Sequence, residues 1–382
     1  MSPLPFGRLS AFYFAYFALL GGVAPFLSLY FHHLGFTPAR IGELVAIPML
    51  MRCIAPNLWG WLGDRSGQRL LIVRLGALFT ALSFSGIFWR QDYLWLAVIM
   101  ALHSFFWHAV LPQFEAITLS HLGEQSARYS RIRLWGSVGF IATVVVLGLV
   151  LEWSTLDLYP AVMLGIMLSI VLCSLLVPDP PRRMPGGTGD AARGFVAQLR
   201  RPGVLAFFVC VALMQLSHGP YYTFLTLHLE ALGYSRSFIG MLWALGVVAE
   251  IVLFLFMARV LAAVSLKHLL IASFVLAALR WLLLGTLASS LAILLFAQVL
   301  HAATFGSFHV ASIHFVQRSF DEGHQGQGQA LYAALAGTGG ALGALYSGYA
   351  WHGLGAAWTF ALASLAAGSA GWILWRRLPS AH

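Results

Sequence analysis

The feature that most limits this chain is the recurrence of apolar runs about twenty residues long, each stopped by a short cluster of charge, glycine or proline. A bilayer's hydrocarbon core is crossed by about 20 helical residues. Twelve such runs can be placed, near 9–32, 40–62, 70–89, 94–120, 132–153, 158–177, 203–229, 237–260, 266–287, 290–316, 328–350 and 356–375. They take up roughly 240 residues, so the remainder suffices only for ends and short connections. Hydrophobic residues make up 60% of the chain and charged residues 9%, where soluble domains average about 45–50% and 25%. Too few polar side chains remain to cover a water-facing surface. The expected fold class is an all-α integral membrane protein with twelve transmembrane helices in two pseudo-symmetric six-helix bundles.

One connection is long. Residues 178–202, with PDPPRRMPGG and GGTGD, read as a flexible hinge between a first bundle, 1–177, and a second, 203–382. Arg8 is followed by a long apolar stretch with no small-residue cleavage site, which reads as a first span and not a removed signal peptide.

The net charge of +9 comes with 21 Arg, one Lys and no dense basic tract, so a nucleic-acid partner is not expected. Topology explains the placement better. With the N-terminus in the cytoplasm, seventeen basic residues fall on that side, from Arg8 to Arg377. Three, Arg40, Arg90 and Arg236, fall on the other. This positive-inside bias requires an even number of spans and puts both termini in the cytoplasm. Cys53, Cys173 and Cys210 lie far apart in apolar runs and read as small buried hydrophobes, with no disulfide or metal framework.

The two halves resemble each other. At an offset of 198, FLSLYFHHLGFTPARIGELVA (26–46) aligns without a gap on FLTLHLEALGYSRSFIGMLWA (224–244), with nine identities in 21 positions. The match pairs Gly35 with Gly233 and Ile41-Gly42 with Ile239-Gly240, and it joins span one to seven and span two to eight through the same turn. Parallel repeats of this kind place a substrate site near mid-membrane between the halves.

Span two ends in GWLGDRSGQR, with Gly60, Asp64, Arg65, Gly67 and Arg69. This resembles the loop 2–3 signature of the major facilitator superfamily, from which Gln68 is the one departure. The resemblance implies that Asp64 caps or pairs with a neighbouring helix end and locks a cytoplasmic gate. Ala262 and Ala263 stand at the equivalent point of the second half, so the motif occurs once. Within the superfamily the sequence is similar, over nearly its whole length, to the phenylpropionate transporter subfamily, distantly akin to sugar–proton symporters. RLWGSVGF (133–140), HGPYYTF (218–224), LWALGVVAEI (242–251), Arg280-Trp281 and QVLHAATFGSFHVA (298–311) carry this likeness. Span five has Gly136 and Gly139 without the proline of drug–proton antiporters, which argues against an efflux pump.

Ionised side chains in a bilayer centre cost at least about 2.5–3.5 kcal/mol, so they mark a cavity or a partner. Arg52, Glu115, Glu250 and Arg280 lie deep within spans two, four, eight and nine. They read either as static ion pairs or as groups in which a carboxylate takes up and releases a proton. Burial disfavours a carboxylate's charge and a nearby guanidinium favours it, so movement of the arginine partner would drive protonation. Glu250 is the first candidate carrier and Glu115 the second.

Histidines are concentrated on the spans expected to line the cavity: His103 and His108 on four, His218 and His228 on seven, and His301, His309 and His314 on ten. His301, Thr304, Phe305, Phe308, His309 and Ser312 follow one helical stripe, with His314 pointing away. His218, Tyr221, Tyr222 and Leu225 form another. His301 and His309 are therefore candidate proton or substrate partners. Arg280, Arg52, His218, Tyr221, Tyr222, Trp107, Thr304 and Phe305 are candidate substrate contacts. Rings suit an aromatic ligand and arginine a carboxylate. The family resemblance is what nominates that ligand. No spacing supports a metal, a cofactor or a catalytic nucleophile, so no enzyme is expected. Gly339 and Gly343 in span eleven form a small-x-x-x-small step, read as packing between the halves. The expected activity is proton-coupled import of a small aromatic carboxylate such as phenylpropionate. The alternatives are symport of a neutral nucleoside or sugar, or a sensor that does not transport. The expected partners are the small-molecule substrate, protons and lipid, for a monomer in the bacterial inner membrane.

Overall fold

The computed structural model describes residues 4–179, 192–321 and 323–378, so residues 180–191 of the connection, with Arg182 and Arg183, lie outside the described residues. Helices account for the ordered structure and no strand occurs among the described residues. The first six are α1 (Phe6–His33), α2 (Pro38–Ser66), α3 (Arg69–Ser85), α4 (Tyr93–Leu122), α5 (Tyr129–Trp153) and α6 (Tyr159–Leu176). A short α7 (Ala192–Leu199) follows, then α8 (Pro202–Ser217), α9 (Gly219–Ala231), α10 (Arg236–Ala263) and α11 (Leu266–Thr286). The chain ends with α12 (Leu291–His301), a π-helical segment (Ala302–Ser307), α13 (Phe308–Ser319) and α14 (Gln325–Arg377).

Among the described residues eleven continuous helical runs are long and apolar enough to cross a membrane. The last, α14, has 53 residues, which at 1.5 Å per residue is more than twice the roughly 30 Å of a hydrocarbon core. Its backbone breaks at Gly355, with φ 81° and ψ −179°, a conformation open to glycine and strained for other residues. α14 is therefore two spans, and the described residues contain twelve.

The repeat is visible in the local structure. α1 and α9 both end in a turn with glycine at positive φ, 83° at Gly35 and 88° at Gly233. Leu34 N–H donates to Tyr30 O and Gly35 N–H to His32 O; at an offset of 198, Leu232 donates to His228 O and Gly233 to Glu230 O. The next helix is then capped alike: the Thr37 hydroxyl accepts from Arg40 N and the Ser235 hydroxyl from Phe238 N. Hydroxyl side chains at this position satisfy amides that the first helical turn leaves open.

Two compact units form. One contains α1–α6 together with Tyr234–Met241, and the other contains α7–α9, the rest of α10 and α11–α14. The pairings inside them correspond: α1 packs on α5 and α3 on α6, while α8 and α9 pack on α14 and so does α11. Glycines allow the closest approaches. A methyl group at Gly139 would meet the Phe14 backbone, and one at Gly343 would lie 2.8 Å from Leu216 O and 3.1 Å from the Gly219 Cα. Gly339 likewise meets Ala212 and Gln215. This corrects the expectation for span eleven: Gly339 and Gly343 pack against α8 and α9 of their own unit, because those helices must come to backbone contact there.

Part of the 178–202 connection also differs from a structureless hinge. Within it α7 is helical and docked on its own unit, with Phe195 stacked on Phe320 at 5.1 Å and the Gln198 amide bonded to the Asp321 carboxylate. Leu172, Leu255, Val275 and Leu365 are each more than half exposed, as side chains facing acyl chains must be. Trp89 and Trp153, 85% and 86% exposed, sit at helix ends, where indoles favour the membrane interface.

Candidate functional site

The second unit is organised around Arg280. This side chain is 0% exposed and carries four hydrogen bonds. Nε donates to Ala297 O at 2.8 Å, Nη1 to His301 Nδ1 at 3.1 Å and to Thr304 Oγ1 at 3.2 Å, and Nη2 to Gln298 Oε1 at 3.2 Å. The guanidinium lies 4.2 Å from the Tyr221 ring centroid, within cation–π range. A buried charge costs several kcal/mol in lost hydration, and hydrogen bonds to a charged group return about 1.5–3 kcal/mol each. All four partners are neutral. Among the described residues no carboxylate is bonded to Arg280, and Glu250 lies within electrostatic reach of the Tyr221 ring that covers it.

Two helix interruptions build this cluster. Span seven breaks at His218 because Pro220 has no N–H, and its ring conflicts with the carbonyl four residues back. The His218 side chain folds back on the preceding turn, Nδ1 donating at 2.8 Å to Met214 O, which also accepts from the His218 backbone N–H. Span ten passes through the π segment Ala302–Ser307 directly after His301, a geometry frequent at functional sites. The rings of Tyr221, His301, Phe305 and His309 follow in a row, with centroids 5.6, 5.3 and 6.5 Å apart and interplanar angles of 20° or less.

Of the residues predicted from sequence, Arg280, His218, Tyr221, Tyr222, His301, Thr304 and Phe305 are brought together. His309 is not buried with His301. It is exposed and bonds to the Tyr332 hydroxyl at 3.0 Å, because two further turns carry it out of the cluster. Phe308 leaves the stripe and packs on Phe274 of α11. Glu250, on α10, is half-buried beside the π segment, where a methyl at Gly306 would lie 3.1 Å from its Cγ. Its carboxylate is within electrostatic reach of Tyr221. Gln298, which bonds both Arg280 and the Tyr221 hydroxyl, was not singled out by the sequence. The available signal was an amide inside an apolar run, one turn before His301.

Arg52, Trp107 and Glu115 belong to the other unit. Trp107 is 5% exposed and stands among Tyr16, His103 and His108, with centroids 5.8, 5.7 and 5.2 Å away. Arg52 keeps an exposed side chain within electrostatic reach of Tyr16 and His108. Glu115 accepts from the Tyr129 hydroxyl at 3.1 Å. Its neighbouring cation is Arg133, whose guanidinium lies 3.8 Å from the Phe17 centroid. Sequence reasoning counts Arg133 with the cytoplasmic charges at the start of span five and does not pair it with Glu115. α5 starts at Tyr129, three residues earlier than expected, and its first turns carry Arg133 to the Glu115 cluster.

The loop 2–3 motif is ordered. α2 closes on Gly67 in the left-handed region, φ 65°, and Asp64 pairs with the side chain of Arg69 at the start of α3. Arg69 also donates to Gln113 Oε1 at 2.8 Å, and Gln113 Nε2 to Trp59 O at 3.1 Å. Arg65 lies over Trp61 at 5.5 Å, and open space surrounds Gly60. Exposed ion pairs are worth at most about 1 kcal/mol, whereas an orphaned buried acceptor costs about 1–3 kcal/mol. Arg69→Ala, which strips the 1%-exposed Gln113 of its donor, is therefore expected to lower thermal stability more than Asp64→Ala. Melting curves of the two detergent-solubilised variants check the order.

Twelve apolar helices in two units, with a buried cationic cluster at interrupted helices, define a polytopic membrane transporter. The chain matches the model of the MFS_1 like family over residues 6–362 and belongs to that family. It is 29% identical over 367 residues to a protein of Escherichia coli (strain K12) described as "Probable 3-phenylpropionic acid transporter", covering 93% of this chain and 94% of that one. It is 26% identical over 330 residues to the maltose permease of Geobacillus stearothermophilus, with 85% and 82% covered. A crystal structure of a mutant of the nucleoside transporter NupG superposes with a TM-score of 0.88 at 17% identity, over 98% of this chain and 100% of that one, a likeness of fold alone. The family and these relatives are transporters and not enzymes.

Proposed function

We propose that the protein imports a small aromatic carboxylate, such as 3-phenylpropionate, together with a proton by alternating access. The observation that carries this reading is Arg280, fully buried with four neutral partners and an aromatic face above it. A carboxylate supplies the missing counter-charge, and the rings of Tyr221, Tyr222 and Phe305 suit the aryl group. Arg52 and Trp107 serve as the first half's substrate contacts. The E. coli relative's description supports the same cargo. In this reading the halves are 1–177 and 203–382, joined by 178–202, both termini are cytoplasmic, and the protein works as a monomer in a bacterial inner membrane. Asp64 and Arg69 form the gate.

Glu250 is the proton carrier, with Glu115, His301 and His309 as further proton-handling groups. Glu250→Gln removes the titrating oxygen and keeps the shape. It is expected to abolish uptake driven by a pH gradient in proteoliposomes while preserving exchange of labelled against unlabelled 3-phenylpropionate. Gradient-driven uptake that survives the change would exclude Glu250. A neutral sugar is the second reading, favoured by the maltose permease relative. Uptake of maltose driven by a pH gradient that withstands Arg280→Gln would select it.

A further inference from the structure

Gln298 lies on α12 one turn before His301 and is 0% exposed. Its Oε1 accepts from Arg280 Nη2 and from the Tyr221 hydroxyl, both at 3.2 Å. This orientation is dictated by chemistry. A guanidinium has no acceptor, so turning the amide over would set two donors against each other. The Nε2 amide is therefore the outer group, and it is a buried donor without a hydrogen-bond partner among the described residues. Buried unpartnered donors are rare, and each costs stability because its hydration is lost without replacement. The bonds to Arg280 and Tyr221 account for the oxygen of this amide and not for its donor.

The unpartnered N–H₂ is attached to the group that Arg280 itself holds. Arg280 Nη2 has two hydrogens and gives one to Gln298 Oε1. The two residues thus form a rigid unit of charged and neutral donors joined through one shared oxygen. A carboxylate has two oxygens and about four acceptor positions, which matches this arrangement. A neutral hydroxyl has one oxygen and must also place its own hydrogen. His218 Nε2 is likewise buried and unpartnered. Because its Nδ1–H donates to Met214 O, that atom is a bare acceptor and repels a carboxylate oxygen. Gln298 is therefore the neutral group whose open valence fits an anion.

We infer that Gln298 is a specificity-determining residue: with Arg280 it binds the two oxygens of the transported carboxylate, its Nε2 donating to the oxygen that Arg280 does not hold. The inference rests on the aryl-carboxylate reading and assigns that site a residue and a basis for rejecting uncharged analogues.

The test compares binding of 3-phenylpropionate and 3-phenylpropan-1-ol by calorimetry to purified wild type, Gln298→Glu and Gln298→Met. Glutamate keeps the oxygen facing Arg280 and Tyr221 and replaces the outer donor by an acceptor. The wild type is expected to prefer the acid. Gln298→Glu is expected to reduce the acid-to-alcohol affinity ratio by about 100-fold, with alcohol affinity held within about threefold. Gln298→Met, which loses donor and acceptor together, is expected to reduce the ratio by about tenfold and serves if the glutamate variant does not fold. Parallel losses for both ligands would mean a structural role for Gln298, and an unchanged ratio would mean a water-filled valence. Either result overturns the inference and leaves the aryl-carboxylate reading standing. A wild type that binds the alcohol as tightly as the acid, or neither, overturns that reading and the inference with it.

Discussion

Arg280→Gln is expected to weaken 3-phenylpropionate binding by about 100-fold or more and to bring uptake down to the level of empty vesicles. Truncating one partner of a buried, hydrogen-bonded charge pair costs about 2–5 kcal/mol, and every 1.4 kcal/mol is a factor of ten in affinity. The fold should survive. Losing the buried charge removes its desolvation cost, and the new amide can satisfy some of the four acceptors that the guanidinium leaves, each of which otherwise costs about 1–3 kcal/mol. The expected signature is loss of binding in a protein that still folds, with a lowered melting temperature. Arg280→Lys is expected to fail almost as badly. An ammonium is a point donor on a flexible stem and cannot span Ala297 O, His301, Thr304 and Gln298 at once. Retained uptake of the acid in either variant would remove Arg280 from the site.

Gly343→Leu should give the largest loss of stability. The new Cβ would stand 2.8 Å from Leu216 O and 3.1 Å from both the Leu216 and Gly219 Cα atoms. All of these are backbone atoms and cannot rotate away. Overpacking a core costs about 1–3 kcal/mol or more, and here α14 would have to separate from α8 and α9 along their joint contact. Gly353→Leu is the control. It lies on the same helix, with nothing within 4 Å of the point its Cβ would occupy, and should behave like wild type. Size-exclusion profiles and melting curves of the two proteins test the contrast. Equal stability would mean that the α8–α9–α14 contact yields.

The spans, the duplication and part of the site were legible in the chain for physical reasons. Insertion into hydrocarbon depends on apolar length and charge, both of which are additive along a sequence. The 198-residue repeat extended even to the glycine turns and hydroxyl caps, since such local structure depends on a few adjacent residues. His301 and Thr304 could be grouped on one face because a helix has a known period. The same rule carried His309 too far, since one face passes from buried to exposed within two turns. The breaks at His218 and Ala302–Ser307 escaped notice because hydropathy does not register a backbone that bends within an apolar run, whereas the break at Gly355 falls in the gap expected between 350 and 356.

Lipid immersion, span number, topology bias and the presence of ionisable groups inside the spans belong to the order of residues, because each follows from composition within a window. Which groups meet was decided by the packed helices. Arg280 bonds to Gln298 and Thr304, Arg133 lies on Phe17 near Glu115, and the glycines of α14 meet α8 and α9. Hydrogen bonds act over about 3 Å and depend on the rotation and register of one helix against another, a relation that residues 18 or more positions apart do not carry until the chain has folded.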